Sequence, residues 1–597
     1  MHTSYSVFRA TSRALGLSFL LLTLAAPESN AQFAHSLGNE SFDSGQGVGI
    51  DSSGNVYAAG TFNGTIDFDP GPGEVSYTST RTDVFVTSYD TTGALRFALP
   101  IGNVFATSES SSGIAVEEDG RFYVTGGQPF GSIDFDPDPR EFAETVGKVF
   151  LAGYTSEGAY RWSAPITGGE SSGEGLGISA DATGNVYIAG SYVFFLDFAP
   201  ADTSRGDLPG IGSVDAFFAS FTDDGAFRFV GRIGGPGADY ARDAVADSEG
   251  NVYVTGRVTG TVQFDPDDRD NDGDRGERTT VSTADAFLAS YTDEGILRFA
   301  YTFGGAFIAD DDTGHGVSVD ADDNVYVVGE GSGQLSFDPL DADGDGNLEV
   351  RAGDGNGSAF LASYTSDGVM RFANVFNGGA SAAFDVATND AGVSYLTGTY
   401  SGNTDFDPLN TSLIIDQDGG SDVFVASYDA LGDLRKVFTL TGTGLLNGMG
   451  IAFEADEDVA ITGGYSVLMD LGRGDAVDER TSAGQNDAFI ARYPAFEPSS
   501  VSSERPPETP RVAGVSSPYP NPFSQATEFD LTLTAPQTLR IRVFDILGRE
   551  VASIHEGTTP TGTHRIRWSA EGAAPGLYLI RVDGEGVSQT RQVVLLR

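Results

Sequence analysis

Between residues 33 and 493 the apolar positions fall in short runs, such as VYAAG at 56–60, FVTSY at 85–89 and RFALPI at 96–101, separated by clusters of Gly, Asp and Asn. Runs of that length, rich in Val, Ile, Tyr and Phe and bounded by turn-forming residues, predict β-strands joined by tight hairpins, and no stretch of this region has a helical period. In IDSSGNVY at 50–57, Asp51 is placed to bond the turn backbone and Gly54 to take positive φ. The recurring D-x-x-G is therefore read as hairpin chemistry that needs no ligand.

The pattern repeats. GNVYAAG at 54–60 returns as GRFYVTG, GNVYIAG, GNVYVTG, DNVYVVG, GVSYLTG and EDVAITG, with Tyr57, Tyr123, Tyr187, Tyr253, Tyr326, Tyr395 and Ala460 spaced by 66, 64, 66, 73, 69 and 65 residues. An FDP turn follows in five copies (68–70, 135–137, 264–266, 337–339, 406–408), FAP at 198–200 in a sixth, and nothing similar around 469–472 in the seventh. A run of the FVTSY kind comes next in all seven, and a turn with an RFA-like strand closes six. Each copy reads as a four-stranded antiparallel sheet, and an array of such regularity marks a repeat architecture. Seven sheets packed around an axis make a β-propeller, the arrangement that leaves few edges bare. The seventh copy ends at FIARYP (489–494) with no RFA-like strand, while QFAHSLG at 32–38 stands without partners and is similar to RFALPIG at 96–102. The N-terminal segment is expected to supply the missing strand and close the ring.

The order of these motifs resembles the bacterial seven-bladed propeller repeats called SBBP repeats, over about residues 33–493. The resemblance implies a fold and little biochemistry, since one fold serves many roles.

The two ends speak to destination. Arg9 and Arg13, the apolar run at 15–26 and Ser-Asn-Ala at 29–31 follow the order of a secretory signal peptide, with cleavage expected after Ala31. The run is shorter than the roughly 20 residues that span a bilayer. The chain has no Cys, so lipoprotein anchoring, disulfides and thiol chemistry are excluded. A Pro/Ser/Glu-rich stretch at 494–517 reads as a linker. Beyond it, at 518–597, alternating strands such as TLRIRVFDILG and GLYLIRV predict a small Ig-like β-sandwich. YPNPF at 519–523, VFDILGREV at 543–551, PGLYLIRV at 575–582 and a final strand ending at Arg597 make this tail resemble the type A C-terminal sorting domain of the type IX secretion system. That resemblance implies type IX machinery and its sortase as partners, passage across the outer membrane of a Gram-negative bacterium, and release or attachment at the cell surface.

Charge narrows the remaining chemistry. The formal net charge is −51, and from Val512 onward eight Arg balance eight Asp plus Glu, so practically all of it lies before the tail. Such a surface repels nucleic acid and anionic membranes and suits cations. Two inserts place carboxylates at alternate positions before a Gly: Asp268, Asp270, Asp272 and Asp274 in DDRDNDGDRGE, and Asp341, Asp343, Asp345 with Asn347 in DADGDGNLE. That spacing lets a chain wrap Ca²⁺, although Thr279 and Ala352 stand where the bidentate Glu of an EF-hand would be. Ca²⁺ sites and plain solvated acidic loops both fit. Asp69, Asp136, Asp265, Asp338 and Asp407 of the FDP turns read as turn supports. His315 reads as a lone surface histidine whose slot holds Gln46 and Glu174 in other copies. No G-x-S-x-G, H-E-x-x-H or Walker loop is present, and no residue is assigned a catalytic role. The sequence is thus read as a monomeric exported module that binds an extracellular glycan or protein. An architectural surface protein without specific ligand, or a Ca²⁺-dependent carbohydrate-active enzyme, are the alternatives.

Overall fold

The computed structural model describes residues 31–494 and 512–596 except for short internal segments, the longest of them 341–348. The expected signal peptide and most of the expected linker lie outside the described residues. All regular structure among the described residues is β-strand, in two compact units divided at Pro498/Ser499.

The first unit contains seven four-stranded antiparallel sheets. Six are continuous in sequence, the first being Ser44–Ile50, Val56–Asp67, Ser76–Tyr89 and Leu95–Ile101 in that order. The seventh consists of Leu446–Phe453, Val459–Tyr465 and Asp487–Tyr493, with Phe33–Leu37 as its outer strand in the register Phe33↔Arg492 to Leu37↔Ala488. The N-terminal segment therefore occupies the position that its sequence suggests. Sheets two and three are also joined by one bridge pair, Glu174↔Gly127.

The first strand of each sheet packs on the first two strands of the sheet before it, and Ser44–Ile50 packs in the same way on Leu446–Phe453 and Val459–Tyr465. The second strand is buried on both sides, which is why its runs are apolar at successive positions. Val56 and Ala58 face sheet seven in a core with Ala460, Ile490, Phe33 and Leu37. Tyr57 and Ala59 face sheet two in a core with Ile114, Phe122 and Phe150. Successive residues of a strand point to opposite faces, so each sheet contributes to two cores. The final Gly of GNVYAAG is required within its own sheet, since a Cβ on Gly60 would run into the Ser44 carbonyl and the Phe85 ring of the flanking strands.

The repeated polar residues form one bonding scheme. Asp51 accepts the Ser53 and Asn55 amides (both 2.9 Å) and the Tyr57 hydroxyl (3.0 Å), while Arg96 donates to that hydroxyl (2.8 Å), to Ser88 Oγ (2.8 Å) and to the Ser156 carbonyl of the next sheet (3.0 Å). Asp247, Tyr253, Ser290 and Arg298 repeat it, as do Asp320, Tyr326, Ser363 and Arg371. Burial pushes the Tyr57 hydroxyl up to about 12, which keeps it a neutral donor. The Tyr that ends FVTSY donates to the Phe carbonyl of the FDP turn: Tyr89 to Phe68 (3.0 Å), Tyr291 to Phe264 (2.9 Å), Tyr364 to Phe337 (2.8 Å). These motifs are accounted for by the scaffold.

The pattern does not predict the two-stranded ribbons that several sheets carry between their second and third strands, such as Thr261–Gln263 with Glu277–Thr279 and Gln334–Ser336 with Val350–Ala352. Their strands are two or three residues each, too short to register as an alternation. The second unit has a three-stranded sheet (Val512–Val515, Ala526–Leu533, Gly562–Ser569) and a four-stranded one (Glu550–Thr559, Gln537–Asp545, Gly576–Gly584, Val587–Leu595) around one core that includes Leu531, Ile541, Val543, Trp568 and Ile580.

Candidate functional site: a channel lined by seven first strands

The first strands of all seven sheets line one cavity of about 510 Å³. Each of these strands carries a β-bulge near its start, at Gly45/Gly47, Ser111/Gly113, Gly175/Gly177, Ala241/Asp243, Gly314/Gly316, Ala383/Asp385 and Gly448/Gly450. A bulge leaves one residue out of the ladder, so its side chain is free to vary without cost to the pairing. The skipped residues are Gln46, Ser112, Leu176, Arg242, His315, Phe384 and Met449, seven different side chains on one repeated backbone. Gln46, Leu176, Arg242, His315 and Phe384 line the cavity. The position after the bulge is Gly in five sheets because the inner strands approach closely there. A Cβ on Gly450 would stand 3.1 Å from the Gly47 Cα.

The two exceptions are Asp243 and Asp385. Asp243 accepts the Ala244 amide (2.9 Å) and the Val317 amide of the next sheet (3.0 Å); Asp385 accepts the Val386 and Ile451 amides (both 2.8 Å). Each keeps part of its surface open to the cavity while protein encloses the rest. Burial, with the amide bonds working against it, pushes Asp243 up to about 8 and Asp385 up to about 6; the charge of Asp385 raises Asp243 further. With both oxygens of each carboxyl held by backbone amides, the pair ties neighbouring sheets together.

A cationic and aromatic corner lies beside them. The Arg242 and Arg257 guanidinium groups stand 5.9 and 5.7 Å from the Tyr240 ring centre. Arg257 is paired with Asp311 at 3.1 Å. His315 Nε2 lies 3.5 Å from Glu330 without forming a hydrogen bond, and its ring meets Phe384 edge to face at 5.2 Å. Burial, and then the like charge of Arg257, lower the pKa of Arg242, with Glu174 and Glu330 acting against them.

Two corrections to the sequence reading follow. His315 is a channel residue, and the residue in its slot in sheet three is Leu176, whereas Glu174 sits two positions earlier opposite Ser191. SGEGLG contains G-x-G twice, and only the bulge shows which copy is equivalent. The signal for the channel residues was present nonetheless, as the one position that changes chemistry inside otherwise fixed motifs.

Among the metal candidates, Asp268, Asp272 and Asp274 accept loop amides from Gly273 (3.0 Å), Asp274 (2.6 Å) and Gly276 (2.9 Å). Asp270, Asp341, Asp343, Asp345 and Asn347 lie outside the described residues. Among the described residues no group of three or more His, Asp or Glu is placed to hold a metal ion. Asp69 accepts the Gly71 amide (2.8 Å) and Asp265 the Arg269 amide (3.0 Å), as turn supports do. His35, in the N-terminal strand of sheet seven, bonds the Gly93 carbonyl in a turn of sheet one at 2.9 Å.

Residues 517–596 match the family model described as a secretion system C-terminal sorting domain. The chain is therefore addressed to the cell surface or extracellular space of a Bacteroidetes-type Gram-negative bacterium by the type IX system. No helix among the described residues is long and apolar enough to cross a membrane. No curated protein matches the chain. Among solved structures, PorZ, an essential bacterial surface component of the type-IX secretion system of Porphyromonas gingivalis, aligns at 11% identity over 94% of this chain and 100% of that one, with a TM-score of 0.17. Dimeric latent PorU from the same organism aligns at 11% identity over 64% of this chain and 31% of that one, with a TM-score of 0.13. Scores this low establish no shared arrangement.

Proposed function

We propose that the chain is an exported binding module whose seven sheets form a closed seven-bladed propeller of the SBBP-repeat kind, taking an extracellular glycan or protein at the channel mouth and the loops around it. The type IX sortase would remove the β-sandwich at 518–597 during passage, after which the propeller acts as a monomer. Packing of Ser44–Ile50 on the seventh sheet, with Phe33–Leu37 at its edge, supports closure.

The observation that carries the binding role is the set of bulge residues. An architectural ring has no need of Gln46, Leu176, Arg242, His315 and Phe384 at one level of a cavity, where repeated residues would pack as well. The bulges lie at the start of the first strands, the end of each sheet that also bears the ribbons, as the bridges Gly234↔Gln263 and Thr167↔Asp197 indicate. Channel mouth and ribbons thus share a face. A carbohydrate-active enzyme is less well supported, because both oxygens of Asp243 and of Asp385 already accept amide bonds.

The test is a screen of the exported chain against extracellular polysaccharides and surface proteins, with and without millimolar Ca²⁺. Saturable binding is expected. Turnover of a polysaccharide would favour the enzyme, and no binding by any probe would favour the architectural reading. We further propose that the inserts bind Ca²⁺, in which case Ca²⁺ raises the unfolding temperature beyond matched ionic strength and Asp343→Asn with Asp345→Asn removes part of that rise.

A further inference from the structure

We propose that the Arg242 corner of the channel binds a carboxylate carried on a ring-shaped, hydroxylated body, the chemistry shared by the uronate end of an acidic saccharide and a free sugar acid. The inference rests on the binding-module reading and gives it a ligand class.

The argument begins with an imbalance. The chain holds 85 Asp plus Glu against 34 Lys plus Arg, so a guanidinium seldom lacks a carboxylate or hydroxyl to bond. Arg96, Arg228, Arg298, Arg371 and Arg435 each bond a Tyr hydroxyl, and Arg161 and Arg232 each bond an Asp. Arg242 lines the cavity and has no ion pair or hydrogen bond among the described residues; its guanidinium lies over the face of Tyr240. Its Nε and the Nε2 of His315 are buried atoms without a hydrogen-bond partner. Buried polar groups are as a rule hydrogen-bonded, so a guanidinium at the cavity wall with neither ion pair nor hydrogen bond keeps bonding capacity that an acceptor arriving from outside can use.

The surroundings specify that acceptor. A planar guanidinium matches a carboxylate with two parallel bonds, which a lone hydroxyl cannot reproduce. Phe384 lines the cavity against His315 and offers aromatic surface fit for the apolar face of a sugar ring, while the Tyr240 ring holds the Arg242 guanidinium from behind. Glu330, 3.5 Å from His315, adds negative charge behind the cavity wall and disfavours any anion that presents more charge than the arginines balance. Highly charged anions such as polyphosphates are disfavoured on that ground. A cavity of about 510 Å³ is of a size that holds one or two sugar rings.

Titration calorimetry of the full exported chain at fixed ionic strength, with galacturonate, trigalacturonate and the methyl esters of both, tests the inference. The acids are expected to bind saturably, and esterification, which removes the charge and keeps the shape, to weaken binding by about tenfold or more. Arg242→Gln should lose as much as esterification does, and Arg242→Lys should recover part of it. Trimer binding tighter than monomer identifies the saccharide as the source, and equal binding identifies the free acid. Equal affinity for acid and ester overturns the proposal on the unaltered chain, whatever the folding of the variants. Acid binding unchanged in Arg242→Gln overturns it too. If no uronate binds while another glycan or a protein does, this inference fails and the binding module stands; if nothing binds, both fail.

Discussion

At the scale of single residues, the units that break the pattern carry the most information. Ala460 stands where the other copies have Tyr, and Arg492 where five of them have Ser and one has Gly153. The two changes compensate one another, because the N-terminal strand brings Gln32 where the other sheets have the RFA arginine. Arg492 supplies the guanidinium from the third strand instead, pairing with Glu454 and with Asp458 (3.0 Å) and reaching the Gly54 carbonyl of sheet one. Phe194 and Val467 are a second kind of departure. Both have φ of 70°, where the equivalent Gly64, Gly260, Gly333 and Gly402 have φ of 88°, 77°, 72° and 70°. Both side chains are exposed, at 73% and 57%, so no core contact offsets the strain. Left-handed geometry costs a residue with a Cβ about 1–2 kcal/mol, and glycine's extra freedom when unfolded returns about 0.5–1. Phe194→Gly and Val467→Gly are therefore each expected to stabilise the chain by about 0.5–1 kcal/mol, read as a higher denaturant midpoint at unchanged slope. A lower midpoint would mean that these side chains make a packing contribution that their exposure conceals.

At the scale of elements, the sheet composition and the pairing of the N-terminal strand in the seventh sheet were legible because short apolar runs between turn residues leave few alternatives, and because one copy visibly lacked a strand that the N-terminus could supply. The ribbons were not legible, being too short for periodicity. Neither was the channel, since the β-bulge that creates it shifts register by one residue and leaves no mark except a variable letter between glycines. Asp243 shows the same limit: its carboxyl reaches Val317 in the next sheet, a pairing 74 residues away that no local pattern encodes. That N-terminal strand yields a quantitative expectation. Phe33 and Leu37 are buried in the core between sheets seven and one, and Ser36 bonds the Tyr465 hydroxyl at 2.7 Å. Removing residues 32–38 exposes two large apolar side-chain sites, worth about 1.5–3 kcal/mol each, and bares the ladder of Asp487–Tyr493. A loss on the order of 5 kcal/mol is expected, with concentration-dependent association through the bare edge, and a peptide of residues 31–38 added in trans should restore part of the stability. An unfolding temperature equal to that of the intact chain would show that this strand contributes nothing to the stability of the seventh sheet.

At the scale of the whole molecule, the excess of acid sets how stability responds to pH. Burial pushes Asp43, Asp239, Asp312 and Asp422 up to about 6, as it does Asp385, and Asp243 to about 8. A carboxyl raised in the native state is protonated there while its unfolded counterpart, near 4, is still charged. Between about pH 4 and about pH 6 to 8 the native chain therefore binds more protons than the unfolded one, and stability falls as pH rises through that window. The stabilising effect of these groups is fully present below the unfolded value and gone above the folded one. Self-repulsion among charges that sum to −51 acts in the same direction, since it weakens as carboxylates take up protons. The opposing groups act lower on the scale: Asp90, Asp181 and Asp223 are held below the usual carboxylate range by bonds to hydroxyls, amides and, for Asp223, arginines, so what they contribute is lost only as pH falls below about 4. Acidification from about pH 7 to about pH 5 is accordingly expected to raise the unfolding temperature by on the order of 5 °C, with a decline below about pH 4. Calorimetric scans at constant, moderate ionic strength across that range check it, and adding salt at about pH 7 should reproduce only the part owed to self-repulsion, because the buried carboxyls are screened far less than the surface ones. An unfolding temperature that falls steadily from about pH 7 to about pH 5 would mean that these buried aspartates reach water in the native state, and with them the channel wall that Asp243 and Asp385 form.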